Sequence, residues 1–278
     1  MLCCGKFTFT LDRPLIMGIV NVTPDSFSDG GRLKNVRQAV DHALHLVEQG
    51  ADILDVGGES TRPGAEAVSE ADELKRVLPV VEALQKEGLV ISVDTRKPGV
   101  MREVIHAGAA MINDVMALRE PGAIEVVADS DLAVCLMHMK GEPRTMQSNP
   151  AYSDVLSEVR DFLAGRINAC EQAGIAKNRL VIDPGFGFGK TLEHNLALLR
   201  HLNRLTDLGV PVLAGMSRKS MLGKLTGKPV EQREHAGIAA HLAAVLRGAA
   251  ILRVHDVEAM KDALMVWQAI EGAGTSES

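Results

Sequence analysis

The chain has 278 residues, 46% of them hydrophobic and 24% charged: enough apolar surface for one sizeable core, and too little length for two large domains. A formal net charge of −6 supplies no basic field for nucleic acid or an anionic membrane, so an anionic ligand has to be caught by a local cluster of cations. No apolar stretch approaches the ~18 residues that span a bilayer.

Met1–Thr10 lacks the apolar run and cleavage site of a signal peptide. Cys3, Cys4, Cys135 and Cys170 are too sparse and irregular for a disulfide framework or a zinc site, and a reducing cytoplasm is the compartment expected. Aromatic residues are only 3%, so the core has to be aliphatic, as in a parallel sheet covered by helices.

Residues 1–13 are expected to form an extra hairpin or arm. Strand patterns then fall at Leu15–Val20, Ile53–Val56, Val90–Val93, Met111–Ile112, Ala133–Met137, Leu180–Ile182, Val212–Ala214 and Ile251–Val254. Helical patterns lie between and after them, at Val36–Glu48, Ala71–Lys86, Gly99–His106, Tyr152–Ala173, Leu192–Leu205, Glu234–Leu246 and Val257–Ile270. Gly272–Ser278 reads as a disordered tail. Gly50-Ala51, Gly108-Ala109 and Gly248-Ala249 each close a helix and open a strand, where glycine provides a left-handed cap. Cys135, inside an apolar run, is expected to be core packing.

Strands alternating with helices imply parallel βαβ units. An open doubly wound sheet shares that alternation. Eight units without a dinucleotide fingerprint favour a closed (β/α)₈ TIM barrel, a single domain over 1–278 with its core at about 15–270.

Polar residues follow every strand: Asn21, Asp55, Asp94, Asn113-Asp114, His138, Asp183, Ser217-Arg218-Lys219, and Arg253 with His255. Any one of them could be a turn former or helix cap. Eight sets at one end of a barrel are better read as a polar site at its C-terminal mouth. Gly185-Phe186-Gly187-Phe188-Gly189-Lys190-Thr191 resembles a phosphate loop, but Pro184 stands where the Walker spacing needs glycine, and the third glycine of a dinucleotide motif would fall at Lys190. ATPase and dehydrogenase readings therefore fail.

Met17–Gly31, Asp55–Gly64, Ser92–Thr95, Ile112–Asp114, Asp183–Lys190, Gly215–Ser220 and Arg253–Asp256 resemble, in order, the signatures of the dihydropteroate synthase family, and the resemblance runs from about Leu15 to Ile270. It implies condensation of p-aminobenzoate with a dihydropterin that carries a methylene diphosphate. Asp183, Asp94 and Asn113 would bind the pterin edge, with Lys219 on its carbonyl side. Thr61, Arg62, Arg253 and His255 would hold the diphosphate, and Asn21 would be the protein ligand of Mg²⁺. Phe27, Pro63, Phe188, Lys219 and Ser220 would form the p-aminobenzoate site, its carboxylate at a helix start.

Asp94, Asp183, Lys219, Arg253 and His255 are the implied catalytic set. They would stabilise a developing methylene cation and the departing diphosphate without a covalent intermediate. Loops 22–35 and 57–70 are expected to cover the substrates. Sulfonamides are expected to compete with p-aminobenzoate, and a homodimer is expected. Two alternatives share the pterin pocket: a pterin-binding methyltransferase domain, and a non-catalytic pterin-binding paralogue. The Arg218-Lys219-Ser220 run and Arg253-Val254-His255 argue against both.

Overall fold

Short aliphatic strands that each bury both faces form the centre of the molecule. In a computed structural model, which describes residues 1–22, 32–60, 67–141, 146–147 and 150–272, β3 (Leu15–Asn21), β4 (Ile53–Gly57), β5 (Ile91–Asp94), β6 (Met111–Asp114), β7 (Ala133–Met137), β8 (Leu180–Asp183), β9 (Val212–Ala214) and β10 (Ala249–Val254) pair in parallel, and β10 returns to β3 to close the barrel. Ahead of it, β1 (Leu2–Cys4) and β2 (Phe7–Phe9) make the antiparallel hairpin expected of the first residues. The (β/α)₈ reading is correct.

The surrounding helices are α1 (Arg32–Gln49), α2 (Glu70–Gln85), α3 (Pro98–His106), α4 (Ala123–Ala128), α5 (Val155–Gln172), α6 (Leu192–Arg200), α7 (Asn203–Thr206), α8 (Ser220–Thr226), α9 (Glu234–Val245) and α10 (Val257–Gly272). Several helix boundaries differ from the sequence reading. α1 starts at Arg32, ahead of Val36. α5 starts at Val155 because the Asp154 side chain accepts the Leu156 N–H at 3.0 Å and caps the helix there. The single helix expected over Leu192–Leu205 is two, since the backbone leaves helical geometry at His201 and restarts with Leu202 and Leu205 both buried. Gly272 ends α10 instead of opening a tail, while 273–278 lie outside the described residues. Gly50, Gly108 and Gly248 all adopt positive φ at the helix-to-strand turns, as their sequence pattern requires.

Strand parity divides the core. Ile16, Leu54, Val56, Ile91, Val93, Ile112, Val134, Leu180, Ile182, Leu252 and Val254 face outward and pack with the helices. Met17, Ile53, Met111, Cys135, Val181, Leu213 and Ile251 face inward and fill the N-terminal end of the barrel, where Leu2 and Cys4 of the hairpin cover them. Gly5 N–H donates to Asp131 O at 3.1 Å, and Asn178 Nδ2 contacts Cys3 Sγ at 3.2 Å, so the hairpin is tied beside the starts of β7 and β8. No described helix is long and apolar enough to cross a membrane.

Candidate active site

Two residues further along the same inward parity, the apolar filling gives way to polar side chains. Ile53 is succeeded by Asp55, Ser92 by Asp94, Met111 by Asn113, Val181 by Asp183, and Ile251 by Arg253. The pleat sends each of these toward the axis, because residues i and i+2 of a strand share a face. Parallel register then sets their depth: Asp94 pairs with Asn113 and Gly57, and Asp55 pairs with Ser92, one inward step lower.

Arg253 organises this layer. Its Nε donates to Asp55 Oδ2 at 2.6 Å and its Nη2 to Asp94 Oδ2 at 2.9 Å. The same Asp55 oxygen accepts from Asn113 Nδ2 at 3.0 Å. Asp55 is fully buried and Asn113 nearly so, whereas Asp94 and Arg253 lie partly open toward the mouth. Burial pushes the Asp94 carboxyl up to about 7, against the opposing pull of Arg253, with Asp55 adding to the rise. Burial alone would lower the Arg253 guanidinium, but Asp55 and Asp94 hold it above its ordinary value.

The loop after β8 supplies the opposite wall. Asp183 is buried, and burial raises its carboxyl while Lys219 and the Gly185 N–H oppose the rise. Its Oδ1 accepts that N–H at 2.7 Å, so Asp183 does cap the turn, as a helix-start aspartate would, while sharing the inward parity of the other site residues. Gly185, Gly187 and Gly189 all take positive φ, and a Cβ on Gly185 or Gly189 would run into the His138 or Lys140 carbonyl. This accounts for the glycine pattern that imitates a phosphate loop. The loop wraps around a buried ammonium: Lys190 Nζ donates to Gly185 O at 2.9 Å and Phe188 O at 3.0 Å, and meets His138 Nδ1 at 2.9 Å. Burial lowers Lys190 to about 7, and burial with the Lys190 charge lowers His138 to about 3, so the imidazole accepts as a neutral ring.

Lys219 lies between the two walls. It donates to Phe186 O, stands 4.6 Å from the centre of the Phe188 ring, and burial lowers it to about 8 despite Asp183. Ser220 opens α8 as expected and is exposed. Buried His241 fixes the turn before it, Nε2 accepting from Met216 N–H at 3.2 Å. Ser217 Oγ lies 3.0 Å from His255 Nδ1, and Arg218 pairs with Asp256 at 2.5 Å, so the exits of β9 and β10 are locked together. Asn21 ends β3 with the same inward parity, beside Gly57.

Asp94, Asn113, Asp183, Lys219 and Arg253 are thus brought together at one end of the barrel, with Phe188 and Ser220 at its edge and His255 tied beside Arg253. Phe27, Thr61, Arg62 and Pro63, with most of the loops expected to cover the substrates, lie outside the described residues. Two of the polar residues that follow strands do not serve the mouth. His138 is buried edge-on against Phe162, 5.0 Å between ring centres, under the Lys190 ammonium. Asp114 is buried and accepts the Met116 and Leu118 N–H groups, both at 2.7 Å, as a turn cap. The sequence reading gives no role to Lys190 or Asp55, because each serves other site residues and neither reaches outward toward a ligand.

Known proteins resemble this chain along most of its length. The family described as "Pterin binding enzyme" matches residues 17–255. A dihydropteroate synthase of Haemophilus influenzae is 52% identical over 264 residues, which cover 95% of this chain and 96% of the relative. Among solved structures, Xanthomonas albilineans dihydropteroate synthase with 4-aminobenzoic acid superposes with a TM-score of 0.90 at 60% identity, covering 95% of each chain. A Yersinia pestis dihydropteroate synthase in complex with a sulfonamide drug superposes with a TM-score of 0.92 at 50% identity, covering 98% of this chain and 99% of that one.

Proposed function

The chain belongs to the dihydropteroate synthase family of pterin-binding enzymes, and we infer from that premise how its residues share the work of the reaction. The enzyme joins p-aminobenzoate to 6-hydroxymethyl-7,8-dihydropterin diphosphate and releases diphosphate, giving 7,8-dihydropteroate. The amine nitrogen forms a bond to the methylene carbon, the carbon–oxygen bond to diphosphate breaks, and the amine proton leaves to solvent or to the diphosphate.

The observation that carries the assignment of roles is the shared inward parity of Asp94, Asn113, Asp183 and Arg253 above a sealed apolar floor. Asp183 and Asp94 are carboxylates in a desolvated pocket, suited to the N–H edge of a pterin and to a developing positive charge on its methylene. Lys219 offers its ammonium to the pterin carbonyl and its stem, with Phe188, to the aminobenzoate ring. The substrate carboxylate would meet the start of α8 at Ser220. Arg253 and His255 face the diphosphate, and Arg62 and Thr61 belong to the same clamp by family resemblance.

Mg²⁺ fits the donors present. Among the described residues no three His, Cys, Asp or Glu side chains gather into a metal cage, so Asn21 would share the ion with diphosphate oxygens and water, a set that suits this hard cation. When bound, the ion offsets the charge of the leaving diphosphate.

A homodimer is also proposed. Exposed Met265, Val266 and Ile270 on α10 and Leu246 at the end of α9 leave apolar side chains on the C-terminal helices, which a second copy of the chain would cover. Four free thiols accord with a cytoplasmic location.

The test is diphosphate release with each substrate omitted in turn. Turnover should need both, and a sulfonamide should compete with p-aminobenzoate and not with the pterin. Inhibition relieved by the pterin diphosphate instead would overturn the assignment of the Phe188–Ser220 pocket.

A further inference from the structure

The roles above leave one charged side chain at the centre of the site without a task. Asp55 is fully buried on β4 and sits one inward step below Asp94, between Ile53 and Gly57 on its own strand. The cost of burying a carboxylate there has to be offset by what it binds. Its partners are both ligand-facing groups, Arg253 through Nε and Asn113 through Nδ2, and both meet the same oxygen.

Each contact removes a choice. An asparagine amide carries donors on one end and an acceptor on the other. With Nδ2 directed at Asp55, the Asn113 oxygen is the end turned away from it. The flipped amide would set two acceptors against one another at the 3.0 Å separation now filled by the hydrogen bond. Arg253 is constrained in the same way: once Nε is taken by Asp55, its Nη groups are the donors left, and Nη2 reaches Asp94.

We propose that Asp55 is a positioning residue that sets the hydrogen-bond polarity of the pterin pocket, making Asn113 an acceptor toward the ring N–H edge and directing the Arg253 fork toward Asp94 and the diphosphate. The proposal rests on the pterin-binding reading of the site. Asp55 touches no substrate; its effect passes through the two residues it holds.

Asp55→Leu keeps the approximate volume of the side chain and removes the one oxygen that both donors meet. Free dihydropterin lacks the diphosphate, so what Asp55 contributes to its affinity passes through Asn113 and, by way of Arg253, through Asp94. Its affinity, measured by calorimetry, should fall about tenfold in Asp55→Leu and by only about threefold when the same change is made in an Asn113→Ala background. The KM for p-aminobenzoate should stay within about twofold of wild type, while that for the pterin diphosphate rises. Equal losses in both backgrounds, or a parallel rise in both KM values, would mean that Asp55 only supports the fold, and the proposal would fail. Absence of dihydropterin binding by the wild-type protein would instead overturn the function on which it rests. Should Asp55→Leu not fold, the native protein still decides the matter. The Asn113 side-chain amide protons, assigned by NMR through their loss in Asn113→Ser, should include one that exchanges slowly with and without dihydropterin. Rapid exchange in either state overturns the proposal.

Discussion

The two ends of the barrel are built from the same strands and differ by one step of the pleat. At the N-terminal end the inward positions are Met17, Ile53, Met111, Val181 and Ile251, covered by the hairpin. At the C-terminal end the positions two residues later are Asp55, Asn113, Asp183 and Arg253, with Ile19 followed by Asn21 on β3. One end excludes water and holds the cylinder together; the other keeps charges in a pocket that the first has already closed from below. Stability and ligand recognition should therefore be separable by depth along the axis.

The sharpest test of that separation is Ile53→Ala in the floor, which should cost about 2–5 kcal/mol of unfolding free energy through lost burial and a residual cavity. Dihydropterin affinity of the folded protein, by calorimetry, should stay within about twofold. A matching loss of affinity would mean that the two ends are mechanically coupled. Asp183→Asn probes the other end and should weaken pterin binding by about 2–4 kcal/mol, the scale of losing a charge-assisted pair in a desolvated site. Its unfolding free energy should drop only by about 1 kcal/mol, since the amide oxygen can still accept from Gly185 N–H. Pterin affinity within about twofold of wild type would reduce Asp183 to the cap of its turn.

The pH dependence probes the C-terminal end without mutation. Burial raises the Asp94 carboxyl to about 7, and its binding form is the carboxylate, so pterin affinity should fall by up to about tenfold per unit as pH drops below about 7. Above about 8, where burial has lowered Lys219, loss of the ammonium should weaken binding again. Stability moves the opposite way. A carboxyl whose folded pKa lies above its unfolded value near about 4 contributes stability present at low pH and lost as pH rises from about 4 to 7. Asp94→Asn should abolish the acidic limb of a pH titration of pterin affinity; persistence of that limb would assign it to another group. The smallest effect expected is for Asn21→Ala. The Mg²⁺ concentration for half-maximal turnover should rise about fivefold, with free dihydropterin binding unaltered. Unchanged Mg²⁺ dependence would remove Asn21 from the metal site.

Much of this arrangement is legible in the amino-acid sequence. The barrel follows from eight aliphatic runs and the three glycine turns, because the covered parallel strand has a distinctive composition. Asn21, Asp94, Asn113, Asp183, Lys219, Arg253 and His255 stand at strand exits within recognisable motifs. Position after a strand does not say which way a side chain turns, however, and His138 and Asp114 look equivalent to Asp183 until parity and burial are known. The tasks of Asp55 and Lys190 escape for a different reason: both stand in the signatures, but they act on other site residues, and their sequence context does not say which. The break at His201 is hidden because leucine spacing continues across it and the helical period survives the change of direction. α4 is simply short, a few residues whose pattern does not stand out from a loop.

The hairpin has a consequence for synthesis. Leu2 and Cys4 leave the ribosome ahead of every barrel strand, yet their seat includes Cys135 and Val181, and the hairpin's ties run to Asp131 and Asn178. The hairpin must wait until β7 and β8 have been made before it can dock, and closure of β10 onto β3 waits longer still. An affinity tag or fluorescent fusion joined ahead of β1 would burden the segment that has to seal the floor late, whereas one placed beyond α10 would leave that event untouched.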